Sequence, residues 1–141
     1  MQHFTYSQGI VYTPTLHNAV GVSTSPLTVN SVVQLVAGAK AVGFEITGAT
    51  ITTRSAVFTV TASFDGGTNF RAYSMLIENS ANATANGLTR VATITQASTG
   101  TTICWMTPET LGGITYIKTT LVITDTGTPV GTFTVRGVIA Y

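Results

Sequence analysis

Apolar side chains recur at every second residue along most of this chain, a period that suits half-buried strands and does not suit helices. Ala56, Phe58, Val60, Ala62 and Phe64 share one parity, while Thr59, Thr61 and Ser63 share the other. Ile117, Leu121 and Ile123 alternate with Lys118, Thr120 and Thr124, with Val122 joining the polar side. Phe133, Val135, Ile139 and Tyr141 alternate with Thr132, Thr134 and Arg136. Leu27, Val29, Val33 and Leu35 form a fourth such face, and Val42, Phe44 and Ile46 a fifth. The intervening residue is Thr so often that 29 threonines occur in 141 residues. β-Branched Thr and Val suit a pleated surface.

The expected fold is therefore all-β: an antiparallel β-sandwich, jelly-roll-like or Ig-like, with about eight to ten strands. Residues 1–25 are expected to form an N-terminal arm or first strand, and residues 26–141 a single β-sandwich domain. Turn signals recur at the spacing of such folds. Asp65, Gly66 and Gly67 make the sharpest, because glycine supplies the positive φ of a tight hairpin. Hairpin turns are also expected at residues 98–101, around Gly100, and at 125–131, around Gly127 and Pro129. Gly112-Gly113 reads as a corner between sheets. Asn79 to Gly87 reads as a loop, and Thr107 to Leu111 as one helical turn capped by Thr107.

Charge is scarce. Only 8 % of residues are Asp, Glu, Lys or Arg, about a third of the usual share. A monomer of this size exposes roughly 7,000 Å², or about one charge per 600 Å². Such a skin is poorly defended against association, which suggests that much of it is covered by protein in the working state. The deficit is concentrated in residues 1–39, which hold no Asp, Glu, Lys or Arg, and again in 91–108. The first segment carries Phe4, Tyr6, Ile10 and Tyr12 among polar neighbours, and these four are candidate contact residues of an arm lying on another subunit. The second segment holds Cys104 and Trp105, which read as core.

Other functions find little support. The net charge is +1, and the six basic residues are spread singly, against the footprint of a nucleic-acid binder. One cysteine forbids a disulfide scaffold. No positively charged start with an apolar stretch behind it suggests a secretory signal, and no run of 18 apolar residues suggests a membrane helix. The Asn82-Ala83-Thr84 sequon therefore reads as chance.

His3 and His17 have no nearby partners for zinc, and Cys104 has no evident base. The run from Asp65 to Asn69 offers too few oxygens for calcium. The five carboxylates form no evident acid/base pair. Neither catalysis, a metal nor a cofactor is expected. Carbohydrate binding is a fairer rival, through Trp105, Tyr73, Tyr116 or Phe70.

Four stretches carry a resemblance: VFTVTASFDGGTNFRAYS from Val57, LTRVATITQ from Leu88, LGGITYIKTTLVIT from Leu111, and GTFTVRGVIAY from Gly131. In that order they resemble small β-sandwich modules of tailed-bacteriophage virions, over roughly the last 60 % of the chain. The resemblance implies a structural virion protein: a capsid decoration (cement) protein, or part of a head fibre, neck or tail. It further implies a homo-oligomer, with a trimer favoured by virion geometry, and a major capsid protein or other virion protein as partner. Neither nucleic acid nor membrane is expected as a partner.

Overall fold

The computed structural model describes residues 11–21, 26–78, 88–107 and 111–141. Among these the fold is all-β and antiparallel, with eleven strands in one continuous hydrogen-bonded sheet. Two long strands dominate: β5 (Ala41–Ser63) and β11 (Tyr116–Ala140). They pair from Ala41↔Ala140 to Ser63↔Tyr116. Where the sequence suggests separate strands around Phe44 and Phe58, and around Leu121 and Val135, the chain runs through as one.

This ribbon is folded back on itself. Phe44 and Phe58 lie on one strand fourteen residues apart, roughly 46 Å if it were straight. Their ring centroids are 5.2 Å apart. Likewise His17 pairs with Val135, yet its Nε2 lies 2.9 Å from Oγ1 of Thr119. The core fills the space between the two halves. Phe44, Ile46, Phe133, Val135 and Ile139 come from one half, and Phe58, Val60, Ile117, Leu121 and Ile123 from the other, all at most 1 % exposed. Each such side chain contributes about 1.5–3 kcal/mol of burial.

The fold-over is built from irregular backbone. Between the pairs Asp125↔Arg54 and Val130↔Thr52, β11 carries residues 126–129 where β5 carries only Thr53. Extra residues of this kind bend a strand and raise its twist. Thr50 and Thr53 take φ of 56° and 49°, and Gly131 takes 105°. Gly131 has no room for a side chain, since a Cβ there would sit 2.6 Å from the Ala49 carbonyl oxygen. Arg54 locks the corner. Its Nε and Nη2 donate to the two oxygens of Asp125 at 2.7 and 3.0 Å, and Nη1 donates to the Gly131 carbonyl.

Residues 125–131 are thus a bend inside β11, not a hairpin turn. Residues 98–101 are no hairpin either. They carry the chain from β9 (Ile94–Gln96), which pairs with one half of β5, to β10 (Gly100–Trp105), which pairs with the other. Buried Gln96 holds this crossing, donating to Ser98 O at 2.8 Å and accepting from Thr102 Oγ1 at 2.6 Å. The Asp65 turn leads β5 into β6 (Arg71–Tyr73), which pairs back on it antiparallel. Leu111 has helical geometry and Gly112-Gly113 a turn, while Asn79 to Gly87 and the rest of the expected helical turn, 108–110, lie outside the described residues.

The remaining strands widen each half. β1 (Val11–Tyr12) and β2 (Thr15–Val20) add to one end of β11, and β3 (Leu27–Asn30) and β4 (Gln34–Leu35) to the other. β7 (Met75–Glu78) and β8 (Leu88–Val91) extend the sheet beyond β10. Leu16 and His17 are buried, so the described part of the N-terminal segment is woven into the sheet. Three positions of the alternating apolar faces are exposed instead of buried: Phe64, just past the end of β5, is 52 % exposed, and Val33 and Leu35 are 43 % and 54 % exposed. The alternation of 27–35 fails there because β4 is two residues long and sits at the sheet margin.

Candidate functional site

Directly opposed residues of an antiparallel pair share a face, so the registers define what each half presents outward. On the half built from β3, β5, β9 and β11, one row reads Thr95, Val57, Val122, Thr28 and the next Thr59, Thr120, Asn30. A third reads Ala72, Thr61, Lys118. Lys118 is the sole charge in these rows, and its ammonium lies 5.2 Å from the Phe70 ring centroid, a cation–π distance. The hydroxyls engage locally: Thr120 Oγ1 donates to Asn30 Oδ1 at 2.8 Å, and Thr61 Oγ1 to the Lys118 carbonyl at 3.2 Å. The result is a threonine face that is almost uncharged.

The other half is different. One row crosses it as Arg90, Leu76, Trp105, Gly43, Val138, and the next as Ile103, Glu45, Arg136, Thr15. Trp105 is 39 % exposed and Ile103 53 %, so the expectation that Trp105 is core is corrected. Strand parity explains it. Cys104 opposes Phe44 and points inward, completely buried, which turns both its neighbours out. A Cβ on Gly43 would meet Cε3, Cζ3 and Cδ2 of the indole at 2.5, 2.6 and 3.0 Å. Three successive ring atoms so nearly equidistant place that point over the ring face, not at its edge. The indole therefore lies face-down on Gly43 with its other face outward.

Of the candidate arm residues, Phe4, Tyr6 and Ile10 lie outside the described residues. Tyr12 opposes Ile139 at the sheet margin and is 55 % exposed. Asp65, Gly66 and Gly67 form a self-contained turn. Asp65 Oδ1 accepts from the Asn69 backbone N–H at 2.9 Å and from Ser63 Oγ at 2.8 Å, and Oδ2 accepts from Asn69 Nδ2 at 2.7 Å. The Asn69 donors, then the Ser63 hydroxyl, lower the carboxyl from 3.8 to about 2. Gly66 and Gly67 take φ of 72° and 90°. Both carboxylate oxygens accept hydrogen bonds from within the hairpin.

The other chemically capable residues are also engaged. Burial pushes the Cys104 thiol up to about 12, so it stays protonated, and its sulfur lies 3.7 Å from that of Met75. Burial lowers the pKa of His17, whose ring is neutral, bonded to Thr119, and without a partner at Nδ1. The Tyr73 hydroxyl accepts the Thr107 N–H at 2.9 Å, which fixes it in place. Tyr116 is half-buried, with its ring beside Gly67. The sequon at Asn82 lies outside the described residues. No helix among the described residues is long and apolar enough to cross a membrane.

Comparison with known proteins adds one finding. No family model and no curated protein matches the chain. Among solved structures, the crystal structure of SPBc2 prophage-derived protein YomS is similar to it with a TM-score of 0.57, covering 94 % of this chain and 95 % of that one. At 15 % identity, the likeness is one of fold, and it extends over nearly the whole of both chains.

Proposed function

We propose that this chain is a non-enzymatic structural protein of a tailed-bacteriophage particle, a capsid decoration (cement) protein that binds across seams between capsid subunits. The observation that carries this reading is the threonine face. A stable interface buries about 1,200–2,000 Å² and keeps charge away from its centre. Three rows of Thr, Val, Ala and Asn, with a single lysine beside an aromatic ring, offer a face from whose centre charge is nearly absent. The shared fold with a prophage-derived protein and the resemblance of residues 57–141 to virion modules support the same setting. The working form is a homotrimer at three-fold positions, with the major capsid protein as partner and the virion as location.

Co-sedimentation with capsids lacking the protein tests the reading. Wild type is expected to pellet with the particle, and Thr59→Glu combined with Thr120→Glu is expected not to. Sedimentation equilibrium at micromolar concentration tests the trimer. A clean monomer that binds no capsid defeats the proposal. Immunogold label on the tail instead of the head moves the role to a tail, neck or fibre component.

A further inference from the structure

We propose that the tryptophan-bearing face is a saccharide-binding platform, on which a pyranose ring stacks against the open face of Trp105 while Glu45 and Arg136 hold its hydroxyls. The indole is pre-set for this. It lies flat because Gly43 beneath it has no side chain, and β5 and β10 fix its height and orientation through the Trp105↔Gly43 register. Its outward face carries the negative side of the ring quadrupole, which suits the C–H bonds on one side of a sugar ring.

The hydroxyl partners stand at the right reach. Glu45 follows Gly43 by two residues on the same face, one step of roughly 7 Å along the strand. Arg136 opposes Glu45. A carboxylate that accepts and a guanidinium that donates form a balanced pair, matched to a neutral polyol whose hydroxyls do both. Arg90 stands two strands away on the other side, roughly 10 Å from Trp105. A second copy of this chain fits the face poorly. Its strongly exposed apolar part is Trp105 and Ile103, hemmed by Arg90, Glu45 and Arg136, whereas a stable protein interface needs about 1,200 Å² or more with charge kept to its rim. This inference does not rest on the particle reading, which uses the opposite face.

Trp105 is the sole tryptophan, so intrinsic fluorescence reads the site alone. The experiment titrates the full chain with cellohexaose, chitohexaose, maltohexaose and a bacterial O-polysaccharide, with acrylamide quenching in parallel. At least one probe is expected to change the emission saturably and to protect the indole from acrylamide. By calorimetry, Glu45→Gln is expected to weaken that binding about tenfold, and Trp105→Ala to abolish it with the strand circular-dichroism signal intact. Capsid co-sedimentation is expected to survive both substitutions. The proposal is overturned if none of the four probes alters emission or quenching, or if Glu45→Gln and Trp105→Ala both bind as wild type. It is equally overturned if protection rises with protein concentration alone, which marks a second copy as the occupant.

Discussion

The two outer faces of the folded ribbon come from the same pair of strands, yet they differ in kind. Between Ser55 and Ser63 the outward positions of β5 are Ser, Val and Thr, and its partner positions on β11 include a single charge, Lys118. Between Gly43 and Thr47 the same strand presents Glu45, opposite Arg136 and beside Trp105. Inward, both halves are alike, with Phe, Ile and Val sealed from water. Selection for the core thus leaves the outward parity free, and the two halves have used that freedom differently. One face suits broad, dry contact, and the other suits a small polar ligand held on a fixed ring.

The corner that separates the faces gives the largest expected effect. Arg54 and Asp125 are 6 % and 12 % exposed in their side chains, and removing one partner of a buried pair strands the other. Arg54→Ala is expected to cost about 3–5 kcal/mol, read as a lower urea midpoint. Replacing both with apolar residues of similar volume is expected to restore much of that loss. A double variant as unstable as the single would show that the two faces are held apart by the pair itself.

Charge placed on each face breaks or sharpens the contrast more directly. Thr59→Glu and Thr134→Glu both sit on half-buried outward positions, and each is expected to change stability by no more than about 1 kcal/mol. Only Thr59→Glu is expected to lower capsid retention. Equal losses from both would mean that the faces are not functionally distinct.

Much of the architecture was legible in the alternation, because burial on one side of a strand writes itself as period two. Ala56 to Ala62 and Ile117 to Ile123 were readable for that reason. The fold-over was not. Its agents are Thr50 and Thr53 at positive φ, an unusual state for β-branched residues, and a cross-strand ion pair between residues 71 positions apart. The side on which Trp105 lies is not legible, because Ile103-Cys104-Trp105-Met106 is apolar throughout and parity is silent there. Only the register of Cys104 against Phe44 decides which side faces water. The separation of faces was hidden too, since it depends on which rows of distant strands come together.

His17 spans the two halves, and its titration tests how firmly they are clasped. Its pKa is lowered from 6.5 by burial, so the folded protein holds the ring neutral while the unfolded chain protonates. The stabilisation is complete above about 6.5 and declines as pH falls below it, by at most about 1.4 kcal/mol per pH unit. His17→Gln is expected to flatten the urea-midpoint profile over that range. An unchanged profile would show that the clasp contributes nothing to acid sensitivity.

Asp65 gives the smallest expected effect, confined to the hairpin that ends the threonine half. Its carboxyl is lowered from 3.8 to about 2 by Asn69 and Ser63. Its contribution is therefore present above 3.8 and lost only as pH falls through about 2. The site is open to solvent, so the effect is local. Asp65→Ala removes the acceptor of the Asn69 backbone N–H and is expected to speed hydrogen exchange at that amide near neutral pH. Exchange at Thr59 and Thr120, held by the β5–β11 ladder, is expected to stay at the wild-type rate. Faster exchange at all three would mean that the turn sets the order of the threonine face rather than merely closing its end.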